Sequence, residues 1–81
     1  MRVNIKLFAI LREKAGTAEI PLELDSGATV QAAVAALLQR RPELATWIAR
    51  AACAVNLARV DQTAILQSGD ELALLPPVSG G

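Results

Sequence analysis

The chain contains no histidine and no tyrosine, and cysteine, methionine, tryptophan and phenylalanine occur once each among its 81 residues. Without His, and with Cys53 alone, no thiolate or imidazole metal site can be assembled and no internal disulfide can form. The usual nucleophile and base pairs are excluded for the same reason. A lone thiol needs a base or a cation to lower its pKa, and the neighbours of Cys53 are Ala51, Ala52, Ala54 and Val55. Cys53 therefore reads as a small buried apolar residue. Charge excess is absent too: Lys plus Arg and Asp plus Glu both number 8, leaving nothing to hold a phosphate backbone, so nucleic acid is not expected as a partner. Hydrophobic residues make up 53%, but Arg12, Glu23, Asp25, Arg40 and Asp70 cut them into runs too short to span a membrane. No basic and apolar leader opens the sequence, and a cytoplasmic protein is expected. The length suits one domain and leaves no room for a deep cleft built from its own walls.

What is present has clear periodicity. Val3, Ile5 and Leu7 alternate with Arg2, Asn4 and Lys6, as in a strand with one face on a core. Ala9 to Ala15 is rich in helix formers and stops at Gly16. Ile20, Leu22 and Leu24 form a second alternating run, in which Pro21 demands an edge position or an outward one. Thr29 is a good N-cap for a helix whose Val30, Ala33, Val34, Leu37 and Leu38 fall on one face, and which ends before Pro42. Leu44, Trp47 and Ile48 repeat helical spacing, with Trp47 read as a core or lid residue. Val55 and Leu57 suggest a third strand, a turn near Asn56 to Arg59 leads to a return at Val60, and Glu71 to Leu75 forms the last strand. Arg12-Glu13-Lys14 and Arg40-Arg41 read as solvated faces. A mixed sheet packed on one principal helix buries both apolar faces, an α+β arrangement.

Residues 76–81, Pro76-Pro77-Val78-Ser79-Gly80-Gly81, follow the domain of residues 1–75 and contain little that packs. Extended, such a tail reaches about 20 Å. Pro76 and Pro77 stiffen its root, Gly80 and Gly81 keep its tip slender, and the reactive group at the tip is the Gly81 α-carboxylate. With a pKa of about 3.5 it is an anion at neutral pH and a poor electrophile until activated. Parity offers a second feature. If Leu72 and Leu74 face the core, Leu75 faces outward, and Phe8 shares that side when the first strand continues extended. Phe8 and Leu75 are thus candidates for a docking patch beside the tail root.

Leu7 to Gly16 (LFAILREKAG), Thr29-Val30, Ala54 to Asn56 (AVN) and above all Gly69 to Gly81 (GDELALLPPVSGG) resemble the molybdopterin synthase small-subunit family of ubiquitin-like sulfur carriers. The resemblance implies a β-grasp fold with a projecting Gly-Gly tail and no bound cofactor. It implies that Gly81 is adenylated with ATP by a ubiquitin-activating-like enzyme, converted to a thiocarboxylate, and used to donate sulfur to a cyclic pterin precursor on a large subunit. A heterotetramer with that subunit is the family's assembly, and catalytic residues are expected there. Pro76, Pro77, Val78 and Ser79 would join Phe8 and Leu75 in partner binding, with Gly80 as the neck behind Gly81. Leu-Ala-Arg after Asn56 departs from the tighter turn common in the family. Two other functions use an activated terminal glycine: sulfur delivery for thiamine, cysteine or transfer-RNA thiolation, and protein modification through isopeptide bonds.

Overall fold

In the computed structural model, which describes residues 1–76, β1 (Arg2–Leu7) is followed by α1 (Ala9–Ala15), β2 (Glu19–Glu23) and α2 (Val30–Arg40). A 3-10 turn at Pro42–Leu44 leads into α3 (Ala45–Ile48), and β3 (Ala52–Val55), β4 (Ala58–Val60) and β5 (Glu71–Leu75) complete the chain. The strands form one sheet in the order β2-β1-β5-β3-β4. The first and last strands run parallel at its centre, with Asn4 level with Glu71 and Leu7 level with Leu74, and the other pairings are antiparallel. This is the ubiquitin-like β-grasp arrangement that the resemblance implied.

Alternation does what the sequence predicts. Val3, Ile5, Leu7, Ile20, Leu22, Leu72 and Leu74 are buried on the helix side of the sheet, against Val30, Ala33 and Leu37 of α2. Thr29 caps that helix by accepting a hydrogen bond from the Ala32 amide at 3.2 Å, replacing one of the solvent partners lost at a helix start. Gly16 closes α1 at φ 76°, the left-handed geometry that glycine adopts without a Cβ clash. Pro21 lies in edge strand β2, and its carbonyl accepts from Arg40 Nη1 at 3.1 Å instead of from β1. Its missing N–H therefore deprives the ladder of nothing.

α2 is the principal helix, as expected, and the shorter helical segments add to the same core. Leu11 and Ala15 of α1, Leu44 of the 3-10 turn and Ile48 of α3 are all buried in the same core. Leu66, in the loop before β5, is 1% exposed, held there as its amide donates to the Ala28 carbonyl at 2.8 Å. The arginine pair is also not simply solvated: besides the Arg40 contact, Arg41 Nη1 donates to the Ala15 carbonyl at 2.9 Å, satisfying an orphan acceptor at the end of α1.

The third strand lies earlier than the sequence suggests. Leu57 is outside it, since Asn56 (φ 49°) and Leu57 (φ 75°) form a two-residue left-handed turn between β3 and β4. Asn56 suits the position because its side chain is used on both sides: Nδ2 donates to Asp70 Oδ1 at 3.0 Å, and Oδ1 accepts the Glu71 amide at 3.1 Å. Those bonds tie the turn to the start of β5. Leu57 has no such reason to be there, being 96% exposed in a conformation that costs an L-residue about 1–2 kcal/mol. Leu57→Gly should therefore stabilise the domain by about 1 kcal/mol, raising Tm by roughly 4–8 °C. Thermal melts of the two proteins check this, and a lower Tm for the glycine variant would contradict it.

Candidate functional site at the tail root

β5 sits between β1 and β3, so the chain leaves the sheet from its middle at Pro76. Continuing the parallel register by one residue beyond Leu7 and Leu74 sets Phe8 level with Leu75, and Leu75 pairs with Ala52 on its other side. The backbone at Phe8 is still extended (φ −125°, ψ 154°), which keeps its ring on the face opposite the core. Ala9 then turns to φ 51° and starts α1. That elbow sends α1 to the helix side while leaving Phe8 behind on the sheet side, where it is 41% exposed. Leu75 is half-buried. The two residues singled out by parity are thus brought together beside the root of the tail.

The surroundings of this patch are small or ionic. Ala73 and Ala54 occupy the next level of the same face, alongside Lys6, whose ammonium lies 3.4 Å from Glu71 Oε2. Small side chains leave Phe8 and Leu75 standing above their neighbours, a shape that fits a recess in a partner. Pro76 is half-buried at the edge of the described structure. Pro77, Val78, Ser79, Gly80 and Gly81, the remaining tail residues predicted to act, lie outside the described residues.

On the helix side of the same root is a feature that the sequence did not reveal. Ile10, Thr46, Trp47, Arg50 and Pro76 line a groove of about 360 Å³. Trp47 is 37% exposed there, and Lys14 Nζ sits 5.3 Å from its ring centroid, within range of a cation–π attraction. Trp47 is thus half lid and half surface. Being the sole tryptophan was its only signal in the sequence.

Cys53 takes no part in either surface. It is 8% exposed and packed in the core, and burial pushes its thiol up from the ordinary value, against a smaller opposing pull from Arg59. The thiol is held protonated and unreactive. Among the described residues no cluster of His, Cys, Asp and Glu could hold a metal ion, and no helix is long and apolar enough to cross a membrane.

The β-grasp arrangement of the described residues places the chain in the class of ubiquitin-like proteins. Within that class, the ThiS family model matches residues 5–81, and the chain belongs to this family. It is 35% identical over 81 residues, all of this chain and 84% of the relative, to a protein of Arabidopsis thaliana named molybdopterin synthase sulfur carrier subunit. A crystal structure of small archaeal modifier protein 1 from Haloferax volcanii matches with a TM-score of 0.91 and 34% identity, covering 100% of both chains. A complex of subunits 1 and 2 of molybdopterin-converting factor from Helicobacter pylori contains a chain that matches at TM-score 0.74 and 27% identity, again over 100% of both.

The buried thiol yields a pH prediction. A raised folded-state pKa means that its contribution to stability is complete below the unfolded thiol value, about 8.5, and is lost as pH rises towards the folded value. Stability should fall over that alkaline window in the native protein and fall less in Cys53→Ala. Iodoacetamide at pH 8 should alkylate the folded protein at least tenfold more slowly than the unfolded one. Equal rates would place the thiol at the surface.

Proposed function

We propose that this protein is the sulfur-carrying small subunit of a molybdopterin synthase. The observation that carries the reading is the placement of the tail root: the central strand delivers the chain out of the sheet beside Phe8 and Leu75, ahead of Val78-Ser79-Gly80-Gly81. A docking patch at the root fixes where the tip can go. Full-length similarity to a relative named as a sulfur carrier supports the same reading, as does the pairing of a similar chain with a second subunit in the Helicobacter pylori complex.

In this proposal the Gly81 carboxylate attacks the α-phosphorus of ATP on an activating enzyme, releasing pyrophosphate and forming an acyl adenylate. A sulfur nucleophile then adds to the activated carbonyl and AMP leaves. Hydrosulfide gives the thiocarboxylate directly, whereas a donor persulfide gives an acyl disulfide. A second thiol cleaves its S–S bond, releasing the thiocarboxylate and a disulfide of the two thiols. On the large subunit that sulfur forms a C–S bond to the pterin precursor as an oxygen substituent leaves, and hydrolysis of the resulting thioester releases the sulfur to the pterin and returns the Gly81 carboxylate. This chain contributes reach, a slender tip and a docking surface; acid–base groups come from the partners. The patch would be shared by successive partners, with Pro76, Pro77, Val78 and Ser79 lying along the entrance to each active site.

The likeness to small archaeal modifier protein 1 favours a second reading, in which activated Gly81 is joined to lysines of other proteins. The two readings part at the first acceptor after adenylation. Intact-mass spectrometry after incubation with an activating enzyme, ATP and a sulfur source should show one oxygen replaced by sulfur. Covalent protein adducts without that change would select the modifier.

Two predictions follow from the geometry of the root. Phe8→Ala and Leu75→Ala should each weaken binding to the large subunit by about tenfold, the scale of an interface anchor, with little change in Tm. Calorimetric titration alongside thermal melts checks this; unaltered binding with a large loss of stability would assign the residues to the core. Deletion of Gly81 withdraws the reactive carbon by about 3.5 Å, and misplacement of even about 1 Å costs on the order of a hundredfold in rate. A chemically thiocarboxylated chain lacking Gly81 should therefore bind the large subunit normally and form almost no dithiolene. Full activity from it would remove Gly81 from the mechanism.

A further inference from the structure

The apolar surface around the tail root does not stop at the sheet. Across Pro76 it continues into the groove between α1 and α3, where Ile10, Trp47 and Pro76 form the apolar lining and Thr46 and Arg50 the polar one. Helical spacing produces this surface: Ile10 and Lys14 lie one turn apart on α1, and Thr46 and Trp47 of α3 are followed one turn later by Arg50. Lys14 in turn holds its ammonium 5.3 Å from the Trp47 ring centroid. Tryptophan and arginine are among the side chains that most often anchor an interface.

Charge narrows what can cover it. No carboxylate lines the groove, and among the described residues Arg50 and Lys14 form no ion pair. Two cations beside an indole ring, without a counter-charge, complement an acidic segment that carries an apolar side chain. A second copy of this chain does not fit, because a groove-to-groove contact would bring Arg50 and Lys14 against the same cations of the other copy. Area narrows the choice among other proteins. Phe8, at 41% exposure, offers roughly 60–100 Å², whereas a stable interface covers roughly 800 Å² a side. Leu75 is half-buried and its neighbours are alanines, so the sheet-side patch alone falls well short for a lasting subunit contact. A transient encounter with an activating enzyme needs less.

We propose that the groove lined by Ile10, Thr46, Trp47, Arg50 and Pro76 is a second docking surface for the large subunit, filled by an acidic segment of that subunit. An apolar side chain of the segment packs on Trp47 and a carboxylate pairs with the Arg50 guanidinium. The proposal rests on the reading of this chain as a molybdopterin synthase subunit and adds to it a surface and its chemistry. With Phe8 and Leu75 on the sheet side, the groove lets the large subunit grip the domain on both sides of Pro76. Such a grip pins the residue from which the tail starts, whereas contact on one side leaves the domain free to pivot about it. Orientation at the root is then set by two surfaces instead of one.

Trp47 is the sole tryptophan, so fluorotryptophan places a single fluorine reporter in the groove. Titrating the labelled full-length chain with the large subunit should shift that fluorine signal as the complex forms. In calorimetric titration, Arg50→Glu should weaken binding to the large subunit at least tenfold and Arg50→Lys two- to threefold. Arg12→Glu, an equal change of charge on an exposed α1 residue outside the groove lining, should stay within twofold of the native affinity. A complex that forms while the fluorine signal stays unmoved would overturn the proposal and leave the sulfur-carrier reading standing, even if Arg50→Glu fails to fold. Native affinity in a folded Arg50→Glu would do the same. So would a fluorine shift produced by the activating enzyme, by the chain itself at millimolar concentration or by phosphatidylglycerol vesicles instead of by the large subunit. Absence of any complex between the native chain and the large subunit would remove the sulfur-carrier reading and the proposal together.

Discussion

The parallel pairing of β1 with β5 is the constraint on which the rest of the molecule depends. It joins residues at opposite ends of the chain, Asn4 with Glu71 and Leu7 with Leu74, and so closes almost the whole sequence into one loop. The entropy of such a closure grows only slowly with length, and here it is offset by burying Val3, Ile5, Leu7, Leu72 and Leu74 in one layer against α2. The β3–β4 hairpin is attached to the sheet only through β5. Asn56 reinforces that attachment by bonding both Asp70 and the Glu71 amide. Without the central strand, β2 and β1 would remain a marginal two-stranded ribbon and the hairpin would have no neighbour.

The same constraint creates the tail's surroundings. A last strand at a sheet edge would release the chain into solvent, with protein on one side. A last strand at the centre releases it between two different surfaces. The sheet side offers Phe8 and Leu75 above a floor of alanines, while the helix side offers Trp47 and Arg50. The Phe8-Ala9 elbow separates the two, because an extended residue followed by a left-handed one diverts α1 to the core side. In the proposed function, where Gly81 carries the working group, control of where that residue goes matters more than catalytic side chains. Fold alone does not distinguish sulfur transfer from protein modification, which both require this control.

Much of this was legible in the residues. Period-two alternation placed Val3, Ile5, Leu7, Leu72 and Leu74 inward, and carried Phe8 and Leu75 to the opposite side as a matter of parity. Thr29 and Gly16 marked helix ends because their local chemistry, a side-chain acceptor and freedom at positive φ, works without tertiary help. The misreadings occurred where tertiary contacts outweigh local preference. Leu57 belongs by propensity to a strand, yet β3 ends two residues before it, at Val55, where the bonds of Asn56 to Asp70 and Glu71 hold the turn. Arg40 and Arg41 look like solvated charges until the Pro21 and Ala15 carbonyls arrive beside them. Leu66 lies in a loop with no periodicity to betray it, and is buried only because that loop bonds to the start of α2.

The amino-acid sequence by itself determined which residues are apolar on which face, where helices begin and end, and that Cys53 has no base beside it in sequence. These are consequences of spacing and side-chain chemistry over a few neighbouring residues. Only the tertiary structure decided that β5 lies at the centre of the sheet, that Phe8 and Leu75 stand level beside the tail, and that Ile10, Trp47, Arg50 and Pro76 enclose a groove. Those residues are far apart along the chain, and their proximity follows from strand order, which depends on how the whole apolar surface is best buried and not on any local signal.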